Sequence, residues 1–307
     1  MKPKILVIGS SNTDMIIKVP RIPHPGETVL GGEFITAAGG KGANQAVGAA
    51  RAGGAVTLIA RVGDDMFGRR AVEGLQKDGI CVDHVVRCPQ SPSGVALILV
   101  QAGGQNSIAV APGANAKLSA ADVHRAVAAF HGATAVLLQL ETPLATVADA
   151  AELAAHHQVP VILNPAPAQP LPNDLLQRVS ILTPNEAEAT ALSGIEVHDE
   201  ATAAQAAARL RHRGVATVII TLGALGAFVA GAKVQQLVPG FNVKAVDTTA
   251  AGDVFNGALA VALGEGRPML EAVHFANAAA AISVTRLGAQ PSAPTRLEID
   301  RFLRQQA

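Results

Sequence analysis

The segment Asp247-Thr248-Thr249-Ala250-Ala251-Gly252-Asp253 sets an acid at each end of a run of small residues, and Val254-Phe255-Asn256-Gly257-Ala258-Leu259 follows with a helix-like pattern. Small residues ahead of a helix let backbone N–H groups crowd around an anion, and the helix dipole favours negative charge at that end. A carboxylate brought up to such a turn can take the proton from a hydroxyl that attacks a bound phosphate. Asp253 is therefore a candidate general base. A plainer role, as the N-cap of the helix, also fits its residue type and stays open at this level.

A second glycine-rich turn, Gly39-Gly40-Lys41-Gly42-Ala43-Asn44-Gln45-Ala46, opens a predicted helix running to about Ala52. It is not a phosphate-binding P-loop, because Gly-Lys is followed by Gly and the earlier glycine is missing; the chain also contains no GxGxxG dinucleotide fingerprint. Three glycines before a helix can serve as a tight turn alone. With Lys41 and Asn44 they also suit close approach to a polyhydroxy ligand.

Such groups need a scaffold, and the apolar pattern indicates one. Short β-branched-rich runs recur at Ile5–Ile8, Val56–Val62, Ala135–Leu140, Val159–Leu163, Val179–Leu182 and Val218–Leu222, with Ala-rich helical spacing at Ala120–Phe130, Leu144–His156 and Ala201–Arg213. Continuous apolar strands alternating with helices predict a parallel sheet covered on both faces. The strands end in polar turns, among them Ser10-Ser11-Asn12-Thr13-Asp14, Gly63-Asp64-Asp65, Glu141-Thr142, Asn164-Pro165 and Thr183-Pro184-Asn185-Glu186. In an open α/β sheet such turns converge on the ligand crevice. Residues 14–35 and 94–112 break the alternation with Pro20, Pro23, Pro25, Gly31-Gly32 and Gly103-Gly104 between β-type residues. They read as short antiparallel strands, either a flap over the rim that excludes water or a pair of surface hairpins.

At 307 residues the chain can bury a large core, and its 24 basic and 24 acidic residues cancel. Binding to nucleic acid or an anionic membrane rests on a basic surface that this balance lacks, so neither is expected as a partner. Met1-Lys2-Pro3-Lys4 leads into only five apolar or small residues before Ser10, too short for a signal-peptide core, and a cytoplasmic protein is expected. Cys81 and Cys88 form no metal or redox spacing, and the nine histidines contain no HExxH; adjacent His156 and His157 suit a solvated helix end.

Taken in order, the glycine segment with Gly53-Gly54 downstream, Asn185-Glu186-Ala187-Glu188, Thr221-Leu222-Gly223-Ala224-Leu225-Gly226 and Asp247–Asp253 resemble the ribokinase family of carbohydrate kinases, and the resemblance covers essentially the whole chain. It implies a ribokinase-like, doubly wound α/β fold with a mainly parallel sheet. Residues 1–307 would form a single domain, with a small antiparallel β lid from about 14–35 and 94–112 that also makes a homodimer. The implied activity is ATP-dependent phosphorylation of D-ribose at its 5-hydroxyl, with Mg2+ required and K+ activating. By the same resemblance Asp253 matches the catalytic base and Ala250, Ala251 and Gly252 the anion hole, while Asn12, Asp14, Gly40, Lys41, Asn44 and Glu141 match sugar contacts. Asn185 and Glu188 match the element tied to magnesium and phosphate, acting on the metal through water. Thr221, Gly223, Gly226 and Asn277 match nucleotide contacts. A potassium loop is implied with Asp247 and Thr249 on one side and Ser283, Arg286, Gly288 and Ser292 on the other, several acting through backbone carbonyls; the Arg286 side chain also suits a surface helix end. A kinase for another sugar or a nucleoside, and a sugar-binding regulator without turnover, are the alternatives. Eight Phe with no Trp or Tyr favour a bare sugar over a base needing an aromatic stack, and retention of Asp253, Asn185 and Glu188 favours turnover.

Overall fold

Strand β1 (Lys4–Ile8) divides its side chains between two cores: Ile5 and Val7 enter one, Leu6 and Ile8 the other. A strand buried on both faces must be apolar at every position, which is why these runs are continuous instead of alternating with polar residues. The computed structural model describes residues 2–101, 103 and 105–306; Met1, Ala102, Gly104 and Ala307, which fall within ranges read from the sequence above, lie outside the described residues.

A small sheet is formed by β2 (Asn12–Val19), β3 (Phe34–Gly39), β6 (Gly94–Gln101) and β7 (Asn106–Ala111) in the order β3-β2-β6-β7. The outer pairs are antiparallel and the central β2–β6 seam is parallel. Its first segment begins and ends in strand at Asn12 and Gly39, wider than the 14–35 read from the sequence, because ladder pairing runs from Asn12↔Gly39 onward. The flap is thus anchored at the rim itself.

The large sheet also contains β4 (Ala55–Gly63), β5 (Cys81–Cys88), β8 (Ala135–Leu138), β9 (Val161–Leu163), β10 (Ile181–Leu182), β11 (Thr217–Thr221), β12 (Gly226–Ala230) and β13 (Gln235–Pro239), in the order β13-β12-β11-β10-β9-β8-β1-β4-β5. All neighbours are parallel except β11–β12 and β12–β13. The six expected strands are present: β8, β9 and β10 are each two residues shorter than expected, β1 and β4 are longer by one and two residues, and β11 is shifted by one. The unread β5 mixes Asp83, His84 and Arg87 into its sequence because it is an edge strand, paired on one side only.

Helices α1 (Lys41–Arg51), α2 (Met66–Lys77), α8 (Ala251–Gly264), α9 (Met269–Ser283) and α10 (Arg296–Gln306) cover one face. The other is covered by α3 (Ala120–Arg125), α4 (Leu144–His156), α5 (Asn173–Arg178), α6 (Glu186–Ser193) and α7 (Glu200–His212). The helix expected over Ala120–Phe130 stops at Arg125 and continues as a 3-10 turn over Val127–Phe130. No helix among the described residues is long and apolar enough to cross a membrane. The chain starts at the sheet centre, runs out through β4 and β5, then returns to build β8–β13 on the other side. The order therefore reverses between β1 and β8, and the crevice beyond their carboxyl ends is where ligands bind in such folds.

Candidate active site

Helix α8 starts from Ala250, whose φ of 59° and ψ of 13° put it in the left-handed region that few non-glycine residues enter. Ala251, Gly252 and Asp253 are the first three helical residues. The Ala251 amide already reaches Thr248 O at 3.3 Å, whereas a side chain built on Gly252 would meet nothing within 4 Å. Open space in front of a helix N-terminus suits an anion. A cavity of about 140 Å³ occupies it, bounded also by Lys41, Asn185, Glu188 and Thr221.

The N-cap alternative for Asp253 is overturned: Ala250 is the N-cap, with no side-chain cap bond, and Asp253 stands at the third helical position. Its carboxylate is 5% exposed and accepts from Asn44 Nδ2 at 3.0 Å and Gln45 Nε2 at 3.1 Å. Burial pushes its pKa up, opposed by the Lys41 charge and by the Asn44 and Gln45 hydrogen bonds. A buried carboxylate with a raised pKa holds a proton more readily than one in water, as a base must.

Two glycines bring these residues together. A Cβ on Gly257 would lie 2.5 Å from Ala49 N and 2.7 Å from Gln45 O, and one on Gly48 would lie 3.2 Å from Val254 Cα. Backbone-to-backbone crossing of α1 and α8 is thus the reason that Asn44 and Gln45 reach Asp253. Gly257→Ala must force the helices apart. It is expected to cost about 1–3 kcal/mol of stability despite alanine's better helix propensity, and to lower kcat. A thermal midpoint and kcat equal to those of the parent protein would refute the crossing as the positioning device.

The expected sugar contacts converge on the same end of the sheet. Gly40 has φ 88°, and a side chain there would collide with Asn12 N at 2.6 Å. Asp14 lies over Gly39, where a Cβ would sit 2.2–2.5 Å from its carboxylate. Asn12 Oδ1 accepts from Asn115 Nδ2 at 2.7 Å. Glu141 Oε2 accepts from Ser10 Oγ at 2.5 Å and from the Lys41 amide at 3.0 Å, so it places an anion at the start of α1. Asn44 Oδ1 is buried without a partner among the described residues. Burial works against the Lys41 ammonium, but Asp253, Glu141 and Glu188 outweigh it and raise its pKa.

Burial, then the nearby Glu141 and Asp253 charges, pushes the Asp14 pKa up to about 6. Hydroxyls of the expected sugar donating to Asp14 would favour its ionised form, so affinity would fall as pH drops through 6. At pH 5 only about a tenth of the free protein carries the carboxylate, and the sugar Kd is expected to be about tenfold weaker than at pH 7. Titration calorimetry at both pH values checks this; equal Kd would show that Asp14 does not need its charge.

Asn185 and Glu188 form a capping box on α6: Glu188 N donates to Asn185 Oδ1 at 2.8 Å and Asn185 N to Glu188 Oε2 at 3.0 Å. Burial raises the Glu188 pKa, partly offset by Asn185 and Lys41. Both residues border the cavity, and Asn185 forms a lone bridge to Thr221. Gly223 (φ 53°) and Gly226 (φ 106°) shape the turn after β11. Asn277 donates from Nδ2 to Val238 O and Pro239 O, both at 3.1 Å, which holds α9 against the end of β13.

The two halves of the expected cation loop do meet. Asp247 accepts from Thr249 N at 2.9 Å and Gly288 N at 2.8 Å, and these bonds lower its pKa despite partial burial. Ser283 and Ser292 donate to Ala280 O and Ala289 O, and the Arg286 side chain is paired with Glu298 at 2.6 Å. Arg286 can contribute to the loop only through its backbone. No cluster of three or more His, Cys, Asp or Glu suited to a metal occurs among the described residues. The oxygens available there are carbonyls, hydroxyls and one carboxylate, a set suited to a hard cation.

Sequence reasoning singled out neither Gln45 nor Asn256. Asn256 accepts from Thr183 Oγ1 at 2.7 Å and donates to Gly252 O at 2.8 Å, which ties the anion turn to the end of β10. The only sequence signal was a polar residue at a position where the helix is otherwise apolar.

A buried carboxylate at a helix N-terminus, beside a small cavity open to an anion and the polar residues gathered at the strand ends, fits an alcohol phosphotransferase. The sequence profile of the pfkB family carbohydrate kinases matches residues 2–296. The chain belongs to that family, and is a sugar kinase. It is 46% identical over 303 residues to the ribokinase of Haemophilus influenzae, with 99% of each chain covered. Among solved structures it resembles the ribokinase of Thermotoga maritima (TM-score 0.89, 42% identity, 99% of this chain and 100% of that chain). It also resembles the ribokinase of Arabidopsis thaliana complexed with ribose and ATP (TM-score 0.90, 36% identity, 99% of each chain).

Proposed function

We propose that the chain phosphorylates D-ribose on its 5-hydroxyl at the expense of ATP. The observation that carries this reading is the buried Asp253 carboxylate, hydrogen-bonded to Asn44 and Gln45, at the mouth of α8. Asn12, Asp14, Gly40, Lys41, Asn44 and Glu141 hold the sugar. Asp253 takes the 5-hydroxyl proton as that oxygen bonds to the terminal phosphorus, whose bond to ADP oxygen breaks. The Ala250–Gly252 turn and Lys41 offset the charge that accumulates on the phosphoryl oxygens. Thr221, Gly223, Gly226 and Asn277 border the nucleotide.

Glu188 and Asn185, which border the cavity, would hold Mg2+, and Mg2+ would supply charge neutralisation on the phosphates. Asp247, Thr249, Ser283, Gly288 and Ser292, with the Arg286 carbonyl, would hold K+, whose charge would stiffen the turn beside the anion hole. ADP release, measured over pentoses, hexoses and nucleosides in potassium, sodium and a large organic cation at matched ionic strength, tests both points. Ribose should give the highest kcat/KM and potassium the highest rate. A different preferred acceptor overturns the substrate, and equal rates in the three salts overturn the cation site.

An open cleft of about 430 Å³ bordering Asn12 and Glu141 favours a second reading, a sugar bearing a substituent such as a nucleoside; the same panel detects it. The single-domain, lidded organisation is supported by β2 joining the rim directly to the small sheet. Both faces of that sheet are apolar, with Ile16, Ile35, Ile98 and Ile108 on one and Met15, Ile17, Phe34 and Leu97 on the other. Phe34, Leu97 and Ile108 are more than half exposed, which supports a homodimer through the lid. Sedimentation equilibrium giving a monomer at tens of micromolar would overturn it. The balanced charge and two free thiols support a cytoplasmic location.

A further inference from the structure

Beneath Asp253 runs a chain of amides that the phosphoryl-transfer chemistry just described does not use. Gln45, fully buried on α1, donates from Nε2 to Asp253 Oδ1 at 3.1 Å and to Asn164 Oδ1 at 3.3 Å. Gln139, 1% exposed just after β8, donates from Nε2 to Gln45 Oε1 at 2.6 Å. Every polar atom of the Gln45 side chain is thereby matched. Gln139 Oε1, by contrast, is buried without a partner among the described residues and faces the backbone of Gly9, where a Cβ would lie 2.0 Å from it.

The direction of this chain is dictated by its end. An ionised carboxylate only accepts hydrogen bonds, so Gln45 must turn its NH2 to Asp253 and its carbonyl to Gln139. Gln139 must then turn its own NH2 to Gln45, leaving its carbonyl stranded. A stranded buried acceptor is costly, and an aliphatic residue at 139 would avoid it. The amide's use therefore lies at its other end, in fixing Gln45. Being sealed from solvent, Gln45 touches neither sugar nor nucleotide.

We propose that Gln45, oriented by Gln139, is a positioning residue for phosphoryl transfer: it pins Asp253 Oδ1 while Asn44 pins Oδ2, so that the carboxylate cannot rotate away from the attacking hydroxyl. The proposal rests on Asp253 being the base. The charged groups facing Asp253 are Lys41 on α1, Glu141 after β8, Asp14 on β2 and Glu188 on α6, and none of them replaces the Gln45 donor.

The test uses Gln45→Met and Gln139→Met, which keep chain length and remove the amide, with kcat and sugar KM measured across pH. Gln45→Met should lower kcat about 10- to 100-fold with KM nearly unchanged. The acid limb of its kcat profile should move to higher pH, since losing a donor to the carboxylate favours the protonated form. Gln139→Met should shift both quantities in the same direction by a smaller factor. The double variant should match Gln45→Met alone, because Gln139 acts through Gln45. Parental kcat with an unmoved limb in Gln45→Met, a loss confined to KM, or a double variant showing the product of both losses would overturn the proposal. If Gln45→Met does not fold, the Gln139→Met profile decides, an unmoved limb overturning and a shifted one supporting. Asp253→Asn sets the reference. Retained turnover there overturns the base itself, whereas lost turnover with a parental Gln45→Met overturns only the positioning role.

Discussion

Asp253→Asn is expected to lower kcat by about 10²- to 10⁴-fold while leaving the fold intact. Asparagine preserves volume and keeps one acceptor for Asn44 or Gln45, but cannot take a proton. The position is not the N-cap of α8, so no capping bond is lost. Burial disfavours the Asp253 charge, and removing it should leave thermal stability at pH 7–8 equal to or above that of the parent protein. Loss of turnover with stability retained separates chemistry from folding. Near-parental kcat at saturating sugar and ATP would eliminate the base assignment.

The second large effect concerns Asp14. With ribose as substrate, 2-deoxyribose is expected to be poorer by at least about tenfold in kcat/KM, since a hydrogen bond to a charged group is worth about 1.5–3 kcal/mol. Asp14→Ala should lower activity on both sugars and mostly erase the difference. The stability change separates this from a turn-capping role. The folded-state pKa of Asp14 is raised from 3.8 to about 6, so the folded protein binds the proton more tightly than the unfolded chain. Stability contributed by the protonated form is present below 3.8 and is lost as pH rises to about 6. Above that the carboxylate is a net cost on the order of 1–3 kcal/mol, so Asp14→Ala should unfold at a higher temperature at pH 8. A lower midpoint with an unchanged sugar ratio would assign Asp14 to the turn instead.

The parts legible in the sequence are those with short-range causes. Strands buried on both faces must be apolar throughout, so β1, β4 and β8–β11 stood out, and their polar ends marked the rim. The edge strands β5 and β13 carried no such signal, since partial exposure admits polar residues, whereas β12 is buried throughout but short and lacks a β-branched run, its sequence being Gly-Ala-Phe-Val-Ala. In the site, residue type pointed to Asp253, Asn12, Asp14 and Lys41. It did not show that the Asn277 amide also ties α9 to β13, because that depends on the direction of one side chain. Gln45 was hidden for a similar reason: its role depends on Gly48 and Gly257 letting two helices touch, a contact between segments about two hundred residues apart.

Only Gly9, Ser10 and Ser11 separate β1 from β2, and the strand that leaves the rim at Asn12 is the one that forms the flap. There is no slack in this link, since a Cβ on Gly42 would already lie 2.6 Å from Gly9 C. Tilting the flap therefore displaces Asn12 and Asp14, and fixing those two side chains around a sugar fixes the flap. Under the proposed function, recognition and closure would then be one movement: a sugar that holds Asn12 and Asp14 would also fix the flap that β2 carries away from the rim, so that cover over the phosphate would arrive together with the acceptor hydroxyl.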